Sequence, residues 1–206
     1  MSSEETVRIH EPFVAPVARR LAEGRLTPDM LTLASVPPAL LAGACAALGW
    51  FEAAAVLFIL SGVLDLLDGA LARALDQRTR FGALLDSSLD RVADACIPIG
   101  LVIYYAPQGA VAAIPALALL ASLWISYIRA RAQSLDLDLP RLWMRREDRF
   151  VALVVALLLA RWVAPGASMP APLLLWVSGA IAGLGFVAGT MALIQAARLA
   201  RQAPPQ

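Results

Sequence analysis

The chain has 206 residues, 60% of them hydrophobic and only 16% charged, whereas soluble domains are about 25% charged and at most about half apolar. The net charge of +1 conceals 17 basic residues that are all arginine, but no basic face extends beyond the apolar segments, which excludes a nucleic-acid-binding role. The single histidine, His10, sits in a polar N-terminal stretch, which argues against a Ser-His-Asp triad, and its being alone excludes any mechanism needing two histidines.

The composition predicts an all-α integral membrane protein, one domain over residues 1–206. No secretory signal is expected, because the first 27 residues carry charges throughout and lack an apolar run. Residues 9–24 place Phe13, Val17 and Leu21 on one helical face with Arg19 and Arg20 off it, a pattern for a short amphipathic helix on the membrane surface. Thr27 and Asp29 flank Pro28 as helix-start residues.

Six apolar segments follow over 30–197, at 30–50, 53–74, 82–105, 109–132, 147–163 and 172–197. Each comes close to the roughly 20 residues that a bilayer demands. Pro37-Pro38 and Pro98 are expected to kink the first and third. In the last, Gly179, Gly183, Gly185 and Gly189 give small-xxx-small spacing for close helix packing. Cys45 and Cys96 lie in apolar runs without metal-ligand spacing and read as small buried hydrophobes. Taking alternate connections, 16 of the 17 arginines fall on one side, Arg161 being the exception. The positive-inside rule then puts both termini in the cytoplasm. The opposite turns carry Trp50, Phe51, Tyr104, Tyr105 and Trp162 as expected interfacial aromatics.

The chemistry concentrates in the second and third spans. Carboxylates inside a bilayer cost several kcal/mol each, yet Asp65 and Asp68 share one helix face and Asp86 and Asp90 share another. Asp65 lies roughly 18 Å into a core roughly 30 Å thick. Asp86 and Asp90 fall in the first two turns of the returning helix, so the pairs reach the same cytoplasmic depth and can face each other. Four close carboxylates cannot all stay ionised without cations. All-oxygen ligands with no His or Cys nearby suit Mg²⁺ or Mn²⁺, and two such ions would clamp a transferring phosphoryl group. Gly69 leaves room for a phosphate to approach the backbone, Arg73 offers a bidentate phosphate donor one turn on, and Gly82 leaves space beside the acidic face.

The spacing Asp65-x2-Asp68-Gly69-x2-Ala72-Arg73-x8-Gly82-x3-Asp86-x3-Asp90 resembles the signature of the CDP-alcohol phosphatidyltransferases, with all eight fixed positions present. A chance match is rarer than about one in a billion per start position, at about 6% usage per residue type. The resemblance implies six transmembrane helices, a homodimer, and an acidic hairpin open to the cytoplasm. It implies that Asp65, Asp68, Asp86 and Asp90 hold two divalent ions, which bind the pyrophosphate of a CDP-linked lipid such as CDP-diacylglycerol. Gly69, Ala72, Arg73 and Gly82 then belong to the CDP-lipid site, and Asp29, within the Thr27-Pro28-Asp29 turn, to its cytidine-side entrance. Asp90 is also the implied base that deprotonates an incoming hydroxyl before it attacks the lipid-side phosphorus and releases CMP. Asp94, one turn further on, lies outside the signature and reads as a supporting or polar-helix residue.

A second basic cluster bears on the acceptor. Arg129 and Arg131 end the fourth span, and Arg141, Arg145, Arg146 and Arg149 precede or open the fifth. Arg146 and Arg149, three apart at a helix start, can converge on one anion. Arg129, Arg146 and Arg149 therefore read as a phosphate pocket for a phosphorylated polyol, and Arg141 and Arg145 fit either that pocket or a positive-inside collar. Within the family, LTPDMLT, TRFGALLD, SYIRARA and the Arg-x-x-Arg pair resemble the bacterial phosphatidylinositol-phosphate synthases over about two-thirds of the chain. Two positions depart from them: Arg129 stands where lysine is usual, and Ala196 where those enzymes place an arginine for the acceptor phosphate. The nearest basic residue, Arg198, lies about 200° round the helix. Glycerol 3-phosphate is thus the alternative acceptor. From the residues alone, a divalent-cation transporter and a membrane scaffold are the competing classes, although no polar path continues outward along spans two and three.

Overall fold

A computed structural model describes residues 26–77, 79–140, 143–163 and 169–202. The expected surface helix over 9–24, with His10, and also Arg141 lie outside the described residues. Among the described residues all regular structure is helical: α1 (Pro28–Ala47), α2 (Phe51–Ala74), α3 (Arg80–Tyr105), a 3₁₀ segment (Ala106–Ala112), α4 (Ala113–Gln133), α5 (Arg146–Leu159) and α6 (Pro172–Gln202). Helical stretches at Pro28–Ala47, Phe51–Ala74, Arg80–Gln133 and Pro172–Arg201 are long and apolar enough to cross a membrane. The third of these contains both α3 and α4, which Gly109 separates with φ 68° and ψ −126°, a conformation reserved for glycine. The fourth helix therefore begins at Ala113 rather than 109.

Local chemistry sets the helix starts. Thr27 accepts a hydrogen bond from the Met30 amide with Pro28 in the first turn, and Thr79 accepts from the Gly82 amide at 2.8 Å. α1 and α3 run through Pro37-Pro38 and Pro98 as unbroken helices. α5 spans 14 residues and ends at Leu159, short of the expected 163; Arg161 and Trp162 lie in the turn after it.

α1 packs on α2 and α3, α4 on α3 and α6, and α5 on α2 and α6. The tightest crossing is α1 on α3, where a Cβ added to Gly100 would lie 2.2 Å from the Gly43 carbonyl oxygen. Small residues let the two backbones touch, as in membrane interiors, where dispersion replaces the hydrophobic effect between helices. In α6 the glycines divide: Gly185 and Gly189 lie against Ala121 and Trp124 of α4, while Gly179 has only loose contact and Gly183 faces open space. The outer surface is studded with exposed Leu, Val and Ile on every long helix, the surface a lipid solvent requires.

The end of the bundle formed by the start of α2 and the end of α3 corrects one expectation. Trp50 and Trp162 are exposed, but Phe51 and Tyr105 are buried and Tyr104 is half-buried. Phe51 meets Tyr104 edge-on at 5.0 Å, Tyr104 meets Tyr105 at 4.9 Å, and the Tyr105 hydroxyl donates to the Ala171 carbonyl at 2.7 Å. These three rings close the core because their faces pack on one another and the one buried hydroxyl finds an acceptor.

Candidate active site

The opposite end gathers the start of α1, the end of α2 and the starts of α3 and α5. Carboxylate oxygens from Asp65, Asp68 and Asp86 lie within 4.8 Å of one another, so the two acidic faces expected from the i,i+3 and i,i+4 spacings do meet. Asp68 is buried, and its Oδ2 has no hydrogen-bond partner among the described residues. A buried carboxylate oxygen without a donor is costly unless a cation serves it. Three converging carboxylates with no nitrogen or sulfur ligand form a hard, all-oxygen set, which fits a divalent cation such as Mg²⁺ or Mn²⁺.

Asp90 enters the cluster through an arginine. Arg146 places Nη2 at 2.8 Å from Asp90 Oδ1, donates from Nη1 to Asp65 Oδ2 at 3.0 Å, and donates from Nε to Asp94 Oδ1 at 3.0 Å. Arg149 is almost fully buried; its Nη2 lies 3.7 Å from Asp94 Oδ2, and its Nη1 donates to the Met144 carbonyl at 2.7 Å. The Arg146–Arg149 pair does converge on one anion, and that anion is the carboxylate of Asp94. The side chain left outside the signature is thus the hub of the arginine pair, a role that its i+4 continuation of the Asp86–Asp90 series could have signalled.

The start of α5 is fixed in turn by its own chain. Asp148 accepts a hydrogen bond from the Arg145 amide at 2.9 Å. Met144, just before it, has φ 57°, a left-handed backbone that a non-glycine residue holds only where its surroundings impose it. The Arg149 bond to the Met144 carbonyl is one such constraint.

The remaining predicted residues flank this centre. A Cβ on Gly82 would lie 3.0 Å from both Asp29 Oδ1 and Thr79 Oγ1, so the starts of α1 and α3 meet at a point where no side chain fits easily. At Gly69 an added Cβ would meet only Arg73 Nη1, at 3.5 Å, leaving the backbone approachable. Arg73 is exposed and Ala72 half-buried beside it. Arg129 is half-buried near the end of α4 and joins none of the ion pairs among the described residues. Arg198 is exposed, and Ala196 half-buried.

Comparison with known proteins agrees with this geometry. The CDP-alcohol phosphatidyltransferase family profile matches residues 25–194. The chain is 35% identical over 146 residues to a phosphatidylinositol phosphate synthase of Cutibacterium acnes, covering 69% of this chain and 70% of that protein. It is 36% identical over 154 residues to an archaetidylinositol phosphate synthase of Methanothermobacter thermautotrophicus, covering 74% and 75%. Among solved structures, the Mycobacterium tuberculosis phosphatidylinositol phosphate synthase with CDP-DAG bound superposes with a TM-score of 0.79 at 26% identity, over 90% of this chain and 94% of that one. The same enzyme in complex with manganese and citrate gives 0.78 at 26% identity, over 89% and 88%.

Proposed function

Since the chain belongs to the CDP-alcohol phosphatidyltransferase family, we propose that it transfers a phosphatidyl group from CDP-diacylglycerol to the hydroxyl of inositol phosphate, releasing CMP. The observation that carries this reading is the meeting of Asp65, Asp68 and Asp86 within 4.8 Å, on the face that also holds Asp90 and the α5 arginines. Together with Asp90 these residues hold two divalent ions. The bound cations neutralise the diphosphate of the CDP-lipid and the charge that builds up as CMP departs.

The protein's own residues do the rest. Asp90 takes the proton from the acceptor hydroxyl at a carboxylate oxygen, freeing its oxygen to attack the lipid-side phosphorus. Gly69 admits the diphosphate to the α2 backbone, and Arg73, exposed one turn on, donates to it. Asp29, Ala72 and Gly82 line the nucleotide side, where a Cβ at Gly82 would press on the Asp29 and Thr79 side chains at 3.0 Å. Arg129, Arg146 and Arg149 bind the acceptor's phosphate.

In this reading the whole of residues 1–206 is a single membrane domain. The surface helix at 9–24 precedes a bundle in which all six α-helices cross the bilayer. Both termini and the acidic end face the cytoplasm, and two copies associate as a homodimer. The arginine bias toward one set of connections supports the orientation.

Membranes carrying the protein, given labelled CDP-diacylglycerol and one acceptor at a time, test the assignment. Inositol phosphate is expected to release CMP and yield a phosphorylated inositol lipid. Ala196, standing where inositol-phosphate enzymes place an arginine, favours a second reading as a phosphatidylglycerophosphate synthase. CMP release with glycerol 3-phosphate and none with inositol phosphate would establish that reading instead. Divalent metal flux into vesicles without CMP release would mark a transporter.

A further inference from the structure

Asp94 is the one carboxylate of the cluster that lies outside the eight signature positions, yet it touches both arginines that open α5. Its Oδ1 accepts from Arg146 Nε at 3.0 Å, and its Oδ2 lies 3.7 Å from Arg149 Nη2. The other two nitrogens of the Arg146 guanidinium sit on Asp65 and Asp90, two members of the proposed metal set. A guanidinium and a divalent cation cannot both hold the same carboxylate oxygens at full strength, because they are like charges competing for one set of lone pairs. Arg146 is therefore a resident counter-charge for the acidic cluster. Asp94, one helical turn from Asp90 and bound to Nε rather than to the fork's tips, can keep the guanidinium while its tips are displaced.

We infer that Asp94 is a positioning residue that anchors Arg146 beside the metal set, so that a divalent cation displaces the guanidinium from Asp65 and Asp90 without losing it to solvent. The displaced Nη1 and Nη2 donors then point to the acceptor side while Nε stays bound. Arg149 keeps its place through Asp94 and the Met144 carbonyl, so both guanidinia remain on one mount. Metal binding and readiness for an anionic acceptor become two consequences of one shift. This inference rests on the reading of Asp65, Asp68, Asp86 and Asp90 as metal ligands.

Mn²⁺ titration of the purified full-length protein in detergent, with free Mn²⁺ read by electron paramagnetic resonance, tests both levels. Arg146→Gln is expected to tighten Mn²⁺ binding about tenfold, and Asp94→Asn to weaken it about tenfold, in the range that outer ligands to metal-binding side chains command. Placed on Arg146→Gln, Asp94→Asn is expected to change affinity less than about threefold, because Asp94 acts through Arg146. Equal weakening by Asp94→Asn in both backgrounds would mean that Asp94 contributes only its charge, and overturns the inference. So does Arg146→Gln without tightening. Arg146→Lys keeps the charge but cannot bridge three carboxylates, so it is expected to bind Mn²⁺ more tightly than wild type; wild-type affinity there also overturns the inference, even if Asp94→Asn does not fold. Asp68→Asn separates the two levels. Mn²⁺ binding that survives Asp68→Asn refutes the metal reading itself, whereas binding that is lost there but indifferent to Arg146 refutes only the anchoring role.

Discussion

The two ends of this bundle are built from the same helices on opposite principles. At one end Phe51, Tyr104 and Tyr105 fill the space between α2 and α3, and the buried Tyr105 hydroxyl has its acceptor. At the other end five aspartates and two arginines converge within a few side chains, and a buried oxygen of Asp68 has no partner among the described residues. One end satisfies its polar atoms and contributes stability; the other leaves them demanding a ligand. Natural proteins break packing and hydrogen-bonding rules mainly where they act on something, and the unpartnered oxygen of Asp68 is such a break at the acidic end.

The contrast predicts that changes at the acidic end stop the reaction while sparing the fold, and that changes at the aromatic end do the reverse. The largest effect is expected from chelation. Removing divalent metal should abolish CMP release, and adding back Mg²⁺ or Mn²⁺ should restore it, with helical circular dichroism unchanged throughout. Asp90→Asn should lower turnover by about 10²- to 10⁴-fold, the usual worth of a positioned general base, with the melting temperature close to wild type. Gly100→Ala belongs to neither end: its new methyl would meet the Gly43 carbonyl oxygen at 2.2 Å. Such overpacking should cost about 1–3 kcal/mol in detergent unfolding experiments. Tyr105→Phe should cost about 1 kcal/mol, a single buried hydrogen bond, with CMP release by the folded fraction intact. The smallest effect is expected from Glu52→Gln, which loses a 3.6 Å pair with Arg161 between well-exposed side chains; it should shift stability by less than about 1 kcal/mol. A large activity loss from Tyr105→Phe would show that the ends are coupled and would break the division.

Helix positions were legible because apolar runs of membrane length have few alternative structures; the observed starts and ends differ from the expected ones by a few residues. The meeting of Asp65, Asp68 and Asp86 was legible for a different reason. Short-range spacing fixes which residues share a helix face, and the short link between α2 and α3 brings both faces to the same end of the bundle. Arg146 on Asp65 was not legible, since the two lie 81 positions apart and no local periodicity links α5 to α2. The pair Arg146 and Arg149 was read as converging on the acceptor's phosphate; in the structure both meet the Asp94 carboxylate, because sequence spacing could not say that a carboxylate of α3 was already in place. Phe51 and Tyr105 were misplaced for a similar reason. Aromatic residues at a span's edge fit both a headgroup belt and a core plug, and only the packing of the neighbouring helices decides between them.

The contact between Gly43 and Gly100 has a mechanical corollary. With carbonyl against α-carbon there is no compressible layer of side chains between α1 and α3, so the two move as one plank carrying Asp29, Asp86 and Asp90 together. On that side the mouth that receives a nucleotide-lipid is a rigid wall, and the guanidinium of Arg146, from a helix of only 14 residues, already lies against it at Asp90.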